Sequence, residues 1–255
     1  MPNALIPIFR FTAIEVMRTR IWLFGLIVVA IVYAIGQFAS SLAITESLEY
    51  RIVTYVTLIR LSAVFIVALF VASSVIRDFD DGVFDFVVSR SVSRASWYGA
   101  KLAAFSVIVV IFAAICLLPL FHFGATHIWL WWYGFAAELV IVAAASLACA
   151  VTLRFTTVAV SAVIAFYVLG RVISAMVLMS ERAASEIAQP VNKIIAQFVQ
   201  NLAYLLPDLS RFASVKPLID SHSATMDLSY VAIQMLVYCA FLSCIGMFDL
   251  HRRNL

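Results

Sequence analysis

Between Arg20 and Glu46 the chain runs for 25 residues without a charge, and no other feature restricts its fold as strongly. A helix that crosses roughly 30 Å of hydrocarbon needs about 20 apolar residues. The same reasoning predicts spans at about 21–45, 53–76, 102–121, 130–153, 157–180 and 228–248. The second contains Arg60, but its fourteen Val, Ile, Leu and Phe residues gain about 0.3 to 0.6 kcal/mol each against a cost of roughly 3 kcal/mol for the guanidinium. The 36 uncharged residues of 102–137 are too many for one crossing, and Pro119, His122, Gly124, Thr126 and His127 divide them into two helices. Trp129, Trp131, Trp132 and Tyr133 predict an aromatic belt where the fourth helix enters the bilayer.

Composition agrees. Apolar and aromatic residues make up 65% of the chain and charged residues 12%, with a mean hydropathy of +1.07, whereas soluble domains are about 45–50% apolar and about 25% charged. A soluble domain is excluded, and a net charge of +3 without a basic run gives no reason to expect nucleic acid. Cys116, Cys149, Cys239 and Cys244 lie in apolar stretches with no C-x-x-C pair, so they read as small core residues. Glu15 and three arginines precede the first apolar run and no clear cleavage pattern follows it, so no cleaved signal peptide is expected. No linker divides the chain, and 1–255 reads as one transmembrane domain.

Six spans place both termini on one side. That side carries Arg10, Arg18, Arg20, Arg77, Arg90, Arg94, Lys101, Arg154, Arg252 and Arg253, against Arg51, Arg182, Lys193, Arg211 and Lys216 opposite. The positive-inside rule then makes both termini and the 77–101 loop cytoplasmic, in a plasma membrane such as the bacterial inner membrane. Ile6, Phe9, Ala13, Val16 and Met17 share one helical face, which predicts a cytoplasmic interfacial helix. On the external side Pro190 suits a first helical position. Val191, Ile194, Ile195, Phe198, Leu202 and Leu205 then recur at helical steps, which predicts an amphipathic helix over 190–205. The fold class expected is therefore an all-α polytopic membrane protein.

The 77–101 loop is the most informative stretch. Phe79, Val83, Phe86 and Val87 fall on one face of a short helix, and Asp78, Asp81 and Asp85 on another. An apolar ridge with an acidic rim suits a groove on a partner better than an anionic lipid surface. Here the sequence resembles the exporter-type ABC transporter permeases of the second class, whose six-helix subunits carry an acidic, glycine-containing coupling segment after the second helix. Asp78, Gly82, Asp85, Val87, Val88, Ser93, Arg94 and Lys101 occupy that motif, while Val83 stands where Thr is usual and Ser91 where Pro is usual. The stretch from Tyr204 to Phe212 is similar to a segment that such permeases place outside the membrane before the last helix.

The resemblance implies an ATP-powered export or force-transmission complex, in which this chain pairs with itself or a homologous permease. Two copies of a cytoplasmic ATPase would dock at Asp78, Phe79, Asp81, Gly82, Val83, Asp85, Phe86, Val87 and Arg94. A second contact is implied at the turn between helices 4 and 5, at Arg154, Thr156 and Thr157. The chain lacks G-x-x-x-x-G-K-[ST], so ATP and Mg²⁺ belong to the partner and no cofactor to this chain, which is not expected to be an enzyme. The cargo could pass through the membrane, be extracted from it, or be handed to an extracytoplasmic partner by way of the 190–205 helix. A membrane scaffold or assembly factor without ATP coupling is the alternative.

Three ionic residues lie inside predicted spans: Arg60, Glu138 and Arg171. They mark either an exit route for an anionic or polar substrate, or an ion pair that only orders the bundle, with Glu138 able to neutralise either arginine. His122, His127, Met176, Met179, His222 and Met226 map to the external end without the spacing of a metal site, and no metal is expected. No hydrolase arrangement is present.

Overall fold

The computed structural model describes residues 9, 11, 12, 14, 15, 21–42, 46–84, 86, 93–186, 190–212, 214–219 and 227–252, and among them every regular element is a helix. The helices are α1 (Ile21–Leu42), α2 (Ser47–Asp80), α3 (Arg94–Ile115), α4 (Leu118–Phe123), α5 (Ile128–Leu153), α6 (Thr156–Glu186), α7 (Pro190–Leu205), α8 (Lys216–Ile219) and α9 (Leu228–Arg252). Residues 9, 11, 12, 14 and 15 are also helical. Among the described residues, six helical stretches are long and apolar enough to cross a membrane, α3 and α4 together making one of them.

The bundle is built around α5. In its most apolar stretch 83% of residues are buried, against 11% in α9. Both stretches have the same mean hydropathy, so hydropathy alone does not separate them. Ala136, Ala137, Ala143, Ala144, Ala145, Ala148 and Ala150 are buried along α5, and small side chains let neighbouring backbones approach closely. α2, α3, α6 and α9 all pack on α5, and α1 packs on α2. α1 buries Val29 and Val32 and exposes Leu23, Phe24, Ile27, Ile31, Ile35 and Phe38.

The helix ends differ from expectation where charges occur. α2 continues through Ile76 to Asp80, giving 34 residues or about 51 Å of helix. It stops at Gly82, whose φ of +68° is the left-handed conformation that glycine adopts most readily. α3 begins at Arg94 rather than at Leu102, because the Ser93 hydroxyl accepts the Ser96 N–H at 3.1 Å and so caps the first turn. α6 extends six residues beyond the expected Ser180, and α9 runs on from Phe248 to Arg252.

Pro119 separates α3 from α4. Its ring interrupts the helical hydrogen bonding, the Leu120 N–H turns to the Leu117 carbonyl at 2.9 Å, and the Cys116 carbonyl accepts the Tyr55 hydroxyl at 2.8 Å. Of the expected aromatic belt, Trp129 is exposed, whereas Trp131 is fully buried and stacks on Phe135 at 4.8 Å. Two helical positions, about 200° of rotation, turn Trp131 toward the core.

α7 covers the expected 190–205 and packs on α6; Phe198, on its apolar face, is exposed. The chain that follows is pinned to the bundle. The Leu209 N–H reaches the Gly170 carbonyl at 3.1 Å, the Thr126 N–H the Leu218 carbonyl at 3.0 Å, and the Thr126 hydroxyl the Pro217 carbonyl at 2.9 Å. At the other end, α9 crosses α3 so closely that a Cβ on Gly246 would lie 2.6 Å from the Tyr98 hydroxyl oxygen.

Candidate functional site

Two ionic clusters stand out. The first joins the end of α2 to the start of α3. Lys101 is 1% exposed, and its Nζ lies 2.6 Å from Asp78 Oδ2 and 3.7 Å from Glu15 Oε2. Its ammonium also sits 5.6 Å from the Phe105 ring centroid and 6.0 Å from that of Phe11. Glu15 Oε1 accepts the Ser74 hydroxyl at 2.9 Å and pairs with the Arg77 guanidinium. Two carboxylates thus meet two cations, and the cluster is neutral.

This pairing explains the longer helices. Asp78 and Lys101 satisfy each other across the two chain segments, so neither charge forces its helix to end. It also corrects the expected acidic rim. Asp78 is buried, while Asp80 and Asp81 are exposed. The apolar ridge divides in the same way. Phe79 turns to Phe84 and Trp97, with ring centroids 4.9 and 5.8 Å away, and Phe84 meets Trp97 at 5.0 Å. Phe86 stays outside, 62% exposed. Gly82 and Val83 are half-buried, and Asp85 and Val87 lie outside the described residues.

Arg94 reaches α9, where Nη1 donates to the Leu250 carbonyl at 2.9 Å and to the His251 carbonyl at 3.4 Å. Those carbonyls belong to the last turn of α9. The turn after α2 is therefore tied to α2, α3, the N-terminal segment and α9 together.

The turn between α5 and α6 lies at the same end, because α2 and α5 run in the same direction, each separated from the other by one return crossing. Arg154 has φ +57°, and the Ala159 N–H closes onto the Phe155 carbonyl at 2.9 Å. Arg154 and Thr157 are exposed, Thr156 is half-buried, and Phe155 is 69% exposed.

The second cluster joins α2, α5 and α6. Glu138 is fully buried; its Oε2 lies 3.3 Å from Arg60 Nε and its Oε1 3.6 Å from Arg171 Nη1. Arg60 is 3% exposed and Arg171 32%. Glu138 therefore engages both arginines. Arg171 Nη1 also donates to the Leu209 carbonyl at 3.2 Å, and Ser174 bonds Ser210 at 3.0 Å, so α6 holds the 206–212 segment beside this cluster.

His122 lays its ring edge on Tyr33, and His127 precedes α5 with φ +44°. His222 and Met226 lie outside the described residues. Among those described, no three His, Cys, Asp or Glu side chains come together to hold a metal. Sequence reasoning missed Glu15, Ser74 and Arg77 as partners and Phe84 and Trp97 as anchors. The one signal for Glu15 was a single carboxylate amid arginines in a segment expected to rest on lipid. The chain matches no protein-family model and no curated protein.

Proposed function

We propose that this chain is the membrane subunit of an ATP-powered ABC export complex, and that the end bearing residues 77–101 is the surface a separate cytoplasmic ATPase engages. One observation carries the reading. The turn after α2 presents the exposed Phe86 beside Asp80 and Asp81, and behind it the Asp78–Lys101–Glu15–Arg77 cluster and the Phe79–Phe84–Trp97 rings join several elements.

An exposed aromatic ring on a polar turn suits a groove in a partner. Displacing that turn would carry α2 and α3 together, draw α9 through Arg94 and the N-terminal segment through Glu15, and so spread the movement over the bundle. Phe155, exposed at the same end, supports a second contact at the Arg154–Thr157 turn. ATP and Mg²⁺ bind the partner in this scheme, and a second permease copy completes the membrane part.

The test is co-expression of the full tagged chain with a candidate ABC ATPase. The expected result is co-purification and stimulated hydrolysis, both reduced about tenfold or more by Phe86→Glu, which places a charge where the groove expects a ring. Failure of any ATPase to co-purify, or full stimulation by the variant, would favour a scaffold without ATP coupling.

A further inference from the structure

Among the described residues, the ion pairs of Arg60, Glu138 and Arg171 bring together two cations and one carboxylate, which leaves one positive charge to spare. The only other charged side chains in the adjoining 206–212 segment, Asp208 and Arg211, are paired with each other at 2.9 Å and cancel. A surplus charge among apolar helices is costly and calls for an anion or for water.

The geometry assigns the surplus to Arg171. Arg60 and Glu138 are sealed inside the bundle, whereas 32% of the Arg171 side chain is exposed. Both polar contacts that Arg171 makes with described residues use Nη1, one to Glu138 and one to the Leu209 carbonyl. The edge formed by Nε and Nη2 has no acceptor among the described residues. A planar pair of N–H groups is the geometry that takes two oxygens of a phosphate or carboxylate. On the same face of α6, one and two turns toward the membrane centre, Val168 is exposed and Ile164 half-buried, an apolar surface for an acyl chain and not for a soluble anion.

We propose that the outer edge of Arg171, held in place by Glu138, binds the oxyanion head group of an anionic amphiphile whose tail lies along Val168 and Ile164. The amphiphile can be a membrane phospholipid or a lipid-like cargo, which share this chemistry. The site stands apart from the ATPase-docking surface, so either can fail alone.

The test measures the association of spin-labelled phosphatidylglycerol, relative to spin-labelled phosphatidylcholine, with the full chain in phosphatidylcholine nanodiscs. Wild type should prefer the anionic lipid about tenfold, as one charge-assisted bidentate contact allows. Arg171→Gln should abolish the preference, Arg171→Lys should keep a weaker one, and Arg211→Gln should leave it intact. An unlabelled lipid-like cargo that displaces the probe at lower concentration than phosphatidylglycerol would identify cargo as the occupant; equal or weaker displacement would identify phospholipid. Absence of a preference in wild type, its survival in Arg171→Gln, or complete displacement of the probe by millimolar inorganic phosphate would overturn the assignment.

Discussion

The two ionic clusters are built from the same residue types and do opposite things with them. At the 77–101 end, Glu15 and Asp78 meet Arg77 and Lys101, charges balance, and half of Arg77 still reaches the surface. Within the bundle, one carboxylate serves two arginines, and the most exposed member carries the imbalance. A neutral cluster can work as a joint between chain segments, because its parts need nothing from outside. In our proposal the unbalanced one is completed by an anion that it binds.

The comparison is tested most severely at Glu138. Glu138→Gln removes the carboxylate that compensates the buried Arg60, and the expected loss is about 3–5 kcal/mol, read as a lower unfolding temperature in detergent and poor membrane yield. Arg60→Met should cost less, since it leaves Glu138 and Arg171 as a neutral pair. If the two variants are equally damaging, charge balance is not what holds this cluster.

Asp78→Asn should be milder, about 1–3 kcal/mol, because Glu15 stays near the buried Lys101. The double variant Asp78→Asn with Lys101→Met should lie closer to wild type than the sum of the single changes, which a double-mutant cycle on thermal stability measures. Additive losses would mean that the two residues do not act as a pair.

Glu15→Gln should lower global stability by about 1 kcal/mol, since its Arg77 partner is half exposed and screened by solvent. Faster amide exchange should then be confined to the N-terminal segment and the end of α2. Phe86→Ala has the smallest expected effect on stability, within about 0.5 kcal/mol, because the ring is exposed.

Much of this architecture is legible in the sequence because a charge-free run of membrane length has few ways to fold other than as a bilayer-crossing helix. Charges mislead where they resemble boundaries. Asp78 and Lys101 look like ends of spans when each is read against its neighbours, and only their contact across 23 positions lets both helices continue. Hydropathy does not tell central α5 from peripheral α9, since lipid and protein interior select the same apolar residues; only the alanines of α5 mark it as the helix that others approach closely. Trp131 and Trp129 are alike for the same reason, and only the helical turn between them separates core from surface. The intramembrane residues are visible singly because charges there are rare. Glu15 is not, because its partners lie 59 to 86 positions away.

The most direct test of the proposed role is a photo-crosslinking residue placed in turn at Phe86, Phe155 and Phe198 of the full chain, co-expressed with the ATPase. Adducts to the ATPase from positions 86 and 155, with none from position 198 on α7, are the expected result. An adduct from position 198, or none from position 86, would contradict the assignment of the 77–101 end as the docking surface.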